Sequence, residues 1–176
     1  MSAITITPFS ADDLVRHLPE LGALLHACVH DGASVGFVMP YGVADSEAFW
    51  RGKVLPSLRA GGLMLFVARE GDAIAGTVQL DYDTMPNQRH RAEVRKLLVH
   101  PAFRRRGIAR ALMTELERHA RHLRRSLLTL DTRTGDHAEP LYAALGYQTV
   151  GVIPGYAQAP HDEGRLDATT VMYKAL

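Results

Sequence analysis

The residues of this chain best arranged for chemistry are six in a row, Arg104-Arg105-Arg106-Gly107-Ile108-Ala109. They follow an apolar strand, Val94 to Val99, and open an amphipathic helix in which Arg110 is the next residue. The first backbone N–H groups of a helix have no partner inside it, and the macrodipole adds partial positive charge there, so such a terminus binds phosphate. Gly107 has no Cβ to obstruct an anion approaching the main chain, and the arginines bring charge-assisted hydrogen bonds. The segment is not a Walker loop, because no Lys-Ser or Lys-Thr follows the glycine. Nor is it a dinucleotide fingerprint, because it holds a single glycine. An ordinary strand-to-helix turn with a solvated basic face uses the same residue types; the position between strand and helix favours the anion site.

Other residues have types suited to proton transfer or to binding. Glu93 lies on the strand before the loop, and Asp131 closes the next strand, the end of an α/β sheet where ligands collect. Tyr142 lies one turn before Leu145-Gly146 on a short helix. Asp31 to Phe37 reads as a substrate loop in which glycines permit close approach and Ser34 can bond a carboxylate. Tyr156, after Pro154-Gly155, is assigned to the same pocket, as is Phe37. Each also has a plain structural reading. Glu93 can pair with Arg91 or Arg95, Asp131 can serve a turn, Tyr142 can be a packed core residue, and the loop can be a simple connection. The nine histidines show no metal-ligand spacing, and no metal is expected. The only cysteine, Cys28, sits on an apolar stripe without a histidine partner and reads as core.

The elements that must position these residues follow from periodicity. Ile4 and Ile6 alternate with threonines in a first strand that Pro8 is expected to end. Ser10 caps a short helix from Ala11. Leu21, Leu24, Leu25, Cys28 and Val29 form a helical stripe that stops near Asp31-Gly32. Asp45 or Ser46 is expected to cap a helix carrying Phe49, Trp50, Val54 and Leu58, with Pro56 kinking or ending it. Leu63 to Ala68 and Ala73 to Leu80 flank a hairpin turn at Glu70-Gly71-Asp72. Tyr82 to His90 is a polar loop, and Arg91 to Val99 is the next strand. The helix from Gly107 to about Leu123 carries Leu112, Met113, Leu116 and Ala120 on one face, with Glu117 and Arg121 spaced to pair on the other. A strand from Leu127 to Asp131, a helix from Ala138 to Leu145 ended by Gly146, and closing strands Tyr147 to Val152 and Thr169 to Tyr173 complete the order. This is one α/β domain, residues 1–176, with a mixed sheet and helices on both faces.

Composition agrees with a globular chain: 176 residues, 47% hydrophobic, 22% charged. A formal net charge of +1 means that anion affinity must come from local placement. One cysteine excludes an internal disulfide and is compatible with a reducing, cytoplasmic location. No apolar run reaches membrane-spanning length, and Met1 to Thr7 lacks the parts of a signal peptide. No membrane partner is expected.

The loop resembles the pyrophosphate loop of the GNAT superfamily of N-acetyltransferases, Arg/Gln-x-x-Gly-x-Gly/Ala. Leu97-Leu98-Val99-His100-Pro101 resembles the strand before that loop, and Leu141-Tyr142-Ala143-Ala144-Leu145-Gly146-Tyr147 resembles the superfamily's Leu-Tyr-x-x-Leu-Gly-Phe element. The resemblance covers the whole chain and is strongest from Ala92 to Val150. Within the superfamily, His30 to Phe37, Ala92-Glu93-Val94, Leu130-Asp131-Thr132 and Pro154-Gly155-Tyr156 are similar to the tabtoxin-resistance acetyltransferases of plant-pathogenic bacteria. Two departures stand out. Gly135 occupies a position where many relatives have an asparagine that contacts the cofactor, so no such contact is carried over; and the loop ends in Ala109 where many have glycine.

The resemblance implies a GNAT fold, with a mostly antiparallel mixed sheet and a splayed central strand pair. It implies an acetyl-CoA-dependent enzyme acting by direct attack on the amine of a small amino-acid-like molecule, in the closer resemblance an antibiotic or toxin. The cofactor's diphosphate is expected on the amides of Arg105 to Arg110, near the side chains of Arg104 and Arg106. Its pantetheine arm is expected along Leu97, Leu98 and Val99, with a backbone N–H near Leu98 facing the thioester oxygen. Tyr142 is the candidate acid for the leaving thiolate. Glu93 is the first candidate base, expected on one strand face with Leu97 and Val99, about 13 Å from Leu97, and partly buried so that its pKa rises. Asp131 is the second. The resemblance permits a homodimer. A non-catalytic acetyl-CoA-binding module keeps the loop without a base. A nucleic-acid binder would use Arg104 to Arg106, Arg124 and Arg125, but no aromatic-interleaved basic patch accompanies them, and no nucleic-acid partner is expected.

Overall fold

The computed structural model describes residues 3–176, so Met1 and Ser2, at the start of the segment read for a signal peptide, lie outside it. Seven strands form one sheet in the order β1-β2-β3-β4-β5-β7-β6: β1 (Ile4–Phe9), β2 (Leu63–Glu70), β3 (Ala73–Asp81), β4 (Arg91–Val99), β5 (Leu127–Arg133), β6 (Gln148–Ala159) and β7 (Asp162–Ala175). All neighbours are antiparallel except β4 and β5. Helices α1 (Ala11–Arg16), α2 (Leu18–His30), α3 (Val43–Phe49) and α4 (Leu55–Ala60) belong to one face. Helices α5 (Ile108–His122) and α6 (Ala138–Ala144) cover the other. Among the described residues no helix is long and apolar enough to cross a membrane.

Strand alternation feeds two cores. Leu63, Leu65 and Val67 of β2 point to the α1–α4 side, where they join the stripe Leu21, Leu24, Leu25, Cys28 and Val29; Phe66 and Ala68 point to α5. Trp50, fully buried, donates its indole N–H to Leu21 O at 2.8 Å, which ties the α3 region to α2. Ser10 caps α1 as its residue type predicts, accepting from the Asp13 N–H at 3.1 Å while Asp13 accepts from the Ser10 N–H at 3.0 Å. The Ser10 hydroxyl, which donates to the Asp13 carboxylate at 2.6 Å, and the Ser10 N–H together hold that carboxyl below its ordinary pKa.

Several sequence expectations need correction. Pro8 does not end β1, which runs to Phe9: β1 is an edge strand, where a missing N–H is tolerated. Asp45 and Ser46 are not the cap of α3. The helix begins at Val43, and Asp45, in its first turn, accepts from the Gly42 N–H at 2.8 Å. The segment around Pro56 is interrupted one turn earlier than the proline: α3 ends at Phe49, a π-helical turn, Trp50–Val54, follows, and Pro56 stands in the first turn of α4, where its missing N–H is tolerated. Glu117 is buried with the α5 core and meets Lys174 of β7 at 2.7 Å, with Arg121 at 4.0 Å. The expected exposed pair is therefore a buried link between α5 and the sheet. Strand β5 passes Asp131 to Arg133 because β7 pairs with it that far. Strands β6 and β7 are longer than expected, since β6 is mostly exposed and bulged, which removes the alternation that would mark it.

The central feature lies between β4 and β5. Their parallel pairing consists of Arg91↔Leu127, Ala92↔Leu128 and Glu93↔Thr129 and then stops. Beyond Glu93 the strands diverge and leave a notch open between them. The ladder from β3 to β4 slips within the same stretch: Gln79 pairs with Arg95 but Thr77 pairs with Leu98, and Lys96 adopts φ 50°. An extra residue in one strand bends it and increases its twist. The notch is thus the consequence of a bulge at Lys96.

Gly76 of β3 fits this bend tightly. A Cβ there would stand 2.5 Å from Leu98 O and 3.3 Å from Ile108 and Leu112. Gly76→Ala is expected to destabilise the protein by about 1–3 kcal/mol, a loss of roughly 2–4 °C in Tm per kcal/mol for a chain of this size. An unchanged thermal midpoint would contradict the tight packing of β3 against β4.

Candidate functional site

The loop after β4 is built to present backbone N–H groups. The His100 N–H donates to Ala75 O at 2.9 Å, and a 3₁₀ turn, Pro101–Phe103, follows, with His100 Nδ1 accepting from Ala102 N–H at 3.2 Å. Arg105 then takes φ 62° and Gly107 φ 77°, which turn the chain into α5. Among the described residues no acceptor lies against the N–H groups of Arg105, Arg106, Gly107, Ile108, Ala109 or Arg110 outside α5 itself. The space beside Gly107 is open. A run of unsatisfied donors at the positive end of a fifteen-residue helix is an anion cradle. A shallow depression lined by Ile4, Ile6, Arg110, Ala111 and Thr114 continues from it along α5.

The arginine side chains do something else. Arg104 donates to Asp31 at 2.5 Å, and Arg106 donates to Glu70 at 2.8 Å and lies over the Phe103 ring. Both guanidinium groups brace the loop against neighbouring elements while staying about 40% exposed, and the side chains of Arg105 and Arg110 are exposed beside the main-chain donors. Arg125 stacks on Tyr82 and donates to Arg89 O. Of the arginines that a nucleic-acid binder would use, Arg104, Arg106 and Arg125 are each tied to another part of the fold, while Arg105 and Arg124 are exposed.

The notch is bracketed from both sides of the sheet. On the α6 side Tyr142 is 6% exposed and packs 5.7 Å from Tyr147 between ring centroids. Its hydroxyl makes no hydrogen bond to protein and is absent from the sealed, unpartnered polar atoms, so it retains access to solvent. Burial, reinforced by the charges of Asp136 and Asp131, pushes the phenol well above its ordinary pKa, and the group holds its proton at neutral pH. Tyr147, by contrast, has a buried hydroxyl without a partner and belongs to the core.

On the α1–α4 side stand the two carboxylates. Glu93 does not share a face with Leu97 and Val99, because the bulge at Lys96 reverses the alternation. Ala92 and Val94 enter the α5 core before it, whereas Leu98 enters the α2 core after it and Leu97 and Val99 turn to α5. Nor is Glu93 enclosed: its side chain is 42% exposed and pairs with Arg95 at 3.2 Å. Asp131 accepts from the Thr169 hydroxyl at 3.0 Å.

The loop between α2 and α3 forms a roof over this side. Arg104 holds Asp31, Arg133 donates to Gly32 O at 3.0 Å, Met39 N–H donates to Pro160 O at 2.9 Å, and His30 bonds Tyr41 O at 2.7 Å. Ser34 is half-buried in this loop. Phe37 packs on Tyr41 and Phe49, at 4.8 and 5.2 Å between centroids. Tyr156 is 54% exposed on β6, and no aromatic contact joins it to Phe37. Cys28 is buried with Sγ 3.6 Å from Val99 O, and burial raises its pKa to about 11, so it is no nucleophile at neutral pH. No group of three or more histidine, cysteine or acidic side chains among the described residues could hold a metal.

Sequence reasoning missed Lys96. Its ammonium lies 5.8 Å from the centroid of Phe37 and 5.5 Å from that of Phe49, under the roof. The available signal was Arg95-Lys96, two adjacent charges inside an otherwise alternating strand, which mark a break in register. Phe49 was legible only as part of a helical stripe, and Arg133 carried no signal of its own.

Comparison with known proteins places this arrangement. The sequence profile of the acetyltransferase (GNAT) family matches residues 39–147. An N-acetyltransferase of Azospirillum brasilense, encoded in the hisH-hisA intergenic region, is 32% identical over 114 residues, which span 64% of this chain and 66% of that protein. The crystal structure of ribosomal-protein-alanine N-acetyltransferase from Brucella melitensis superposes with a TM-score of 0.78 at 22% identity, covering 98% of this chain and 99% of the other. The yncA acetyltransferase of Salmonella typhimurium, solved with its cofactor acetyl-CoA, superposes with a TM-score of 0.77 at 19% identity, covering 99% and 95%. The last two similarities show a shared GNAT fold.

The N–H cradle has a direct test. Gly107→Asp places a carboxylate among these donors and a side chain where φ is positive. It is expected to abolish binding of coenzyme A in calorimetry while the fold survives by circular dichroism. Unchanged affinity would remove Gly107 from the site.

Proposed function

This chain belongs to the acetyltransferase (GNAT) family, and we propose that it is an acetyl-CoA-dependent N-acetyltransferase whose acceptor is the amine of a small amino-acid-like molecule. One observation carries the proposal. The acceptor-free N–H run from Arg105 to Arg110 sits at the end of the strand whose edge has lost its partner, so an anion cradle and an open strand edge are continuous. The cradle fits a diphosphate, and the unpaired edge at Leu97, Leu98 and Val99 fits an extended amide-bearing arm that hydrogen-bonds like an added strand. Acetyl-CoA supplies both, together with an activated carbonyl and a thiolate leaving group.

The chain's own residues divide the remaining work across the sheet. Glu93 or Asp131, on the α1–α4 side, accepts a proton from the acceptor ammonium, directly or through water. The freed nitrogen forms a bond to the acyl carbon, and the carbon–sulfur bond breaks. Tyr142, on the opposite side with its proton retained, donates that proton to the departing sulfur, and the second proton shed by the nitrogen as it becomes an amide returns to the phenolate through water. A main-chain N–H near Leu98 stabilises charge on the carbonyl oxygen. Attack is direct, because the Cys28 thiol is buried and protonated. Four segments similar to the tabtoxin-resistance acetyltransferases support an antibiotic or toxin as acceptor.

A homodimer belongs to the same reading. Edge strand β6 turns Val150, Val152 and Ile153 to solvent, and a second copy would cover them. Light scattering is expected to give twice the chain mass; a monomer at micromolar concentration would remove the dimer and leave the chemistry intact.

Tyr142→Phe is expected to lower kcat on the order of 100-fold, read as thiol release from acetyl-CoA with a panel of primary amines, and to leave coenzyme A affinity nearly unchanged. Equal losses in turnover and affinity would contradict the acid role.

A further inference from the structure

Lys96 is placed at a cost. A residue other than glycine at φ 50° is uncommon and strained, and the bulge fixes it there. Its ammonium is drawn beneath the loop between α2 and α3, where burial and the neighbouring charge of Arg95 lower its pKa against the opposing pull of Asp131 and Glu93. Among the described residues no carboxylate comes within 4.0 Å of it, although thirteen ion pairs meet that limit elsewhere. The faces of Phe37 and Phe49 compensate in part, as aromatic quadrupoles do for a desolvated cation. Gly36, at φ 96°, brings the roof so near that a Cβ there would stand 3.8 Å from Nζ. The ammonium is partly withdrawn from water but still reached by it, and no anion stands beside it. An incoming anion would satisfy it.

We propose that Lys96 is the specificity-determining residue for the acceptor, binding a carboxylate carried by the same molecule as the reacting amine. This rests on the acetyl-transfer reading of the notch. Lys96 is one residue before Leu97, where the open strand edge begins its apolar run. A carboxylate held there leaves an ammonium a few bonds away to face Glu93 and Asp131 on the same side of the sheet. Phe37 and Phe49 then form an apolar wall for the substituent between the two charged ends. The acceptor class is accordingly a zwitterionic amino acid or an amino-acid-like compound. An amine without a carboxylate leaves Lys96 unpaired, which the site penalises.

The test compares free amino acids with their methyl esters at a fixed acetyl-CoA concentration, in wild type, Lys96→Gln and Lys96→Arg. Wild type is expected to prefer free acids. Lys96→Gln is expected to raise KM for the acids about 10- to 100-fold, the worth of a charge-assisted hydrogen bond. Its kcat, its coenzyme A affinity and its KM for the esters should stay close to wild type. Lys96→Arg should recover part of the acid preference. Loss of kcat for acids and esters alike would make Lys96 a proton acceptor and overturn the proposal. A joint fall in Tm and coenzyme A affinity would make it structural and do the same. A binding readout separates this inference from the transfer reading. Free amino acids should raise the Tm of the coenzyme A complex of wild type more than their esters do, and not that of Lys96→Gln. Should Lys96→Gln fail to fold, the acid-to-ester ratio in wild type and Lys96→Arg decides. Binding without thiol release would end the transfer reading alone; absence of the acid preference in binding would end this one.

Discussion

The structure depends on one interruption of hydrogen bonding. Strands β4 and β5 pair through Glu93 and Thr129 and then part, although both continue for several residues. Unpaired strand edges inside a sheet are costly, and this one is maintained by geometry elsewhere. The slip opposite β3 and the positive φ of Lys96 bend β4 away, while β7 holds β5 as far as Arg133. The edge so exposed is short, lies in the middle of the sheet, and opens toward the N-terminus of the longest helix. A strand-like ligand with an anionic end satisfies both the edge and the helix.

The charges near the notch serve distinct ends. Arg104, Arg106 and Arg133 are structural braces, each bonded to a carboxylate or carbonyl that fixes a loop. The anion cradle is formed by main chain, which presents donors in fixed positions and loses no side-chain entropy when occupied. Tyr142 is placed to keep a proton, by burial and by two neighbouring negative charges. Lys96, under the roof between Phe37 and Phe49, has no carboxylate within 4.0 Å among the described residues. Tyr142 stands on the opposite face of the sheet from Glu93 and Asp131, and the gap between β4 and β5 lies between them.

Local patterns in the sequence determined most of the fold. The stripe from Leu21 to Val29, the hairpin at Gly71, β4 and the loop into α5 lie where periodicity, glycine and capping residues place them. Errors arose where tertiary context overrode a local rule. Pro8 is harmless because its strand is an edge. Pro56 stands in the first turn of α4, where its missing N–H is tolerated. Glu117, read from spacing as a surface charge, is buried because Lys174 comes from a strand with no sequence proximity to α5. The site was legible in part. The N–H cradle follows from strand, glycine and helix in series, and Tyr142 from its helix. The face of Glu93 was not legible, since a single inserted residue inverts every side chain beyond it. The same inversion concealed Lys96, whose neighbours Phe37 and Phe49 come from separate segments.

The account stands on the seating of a thioester carrier in the cradle and along the open edge of β4. Amide hydrogen exchange resolved to single residues, with and without acetyl-CoA, tests this most directly. Protection is expected to concentrate at Arg105 to Arg110 and at Leu97 to Val99. Protection centred on other elements, or none at saturating acetyl-CoA, would contradict it.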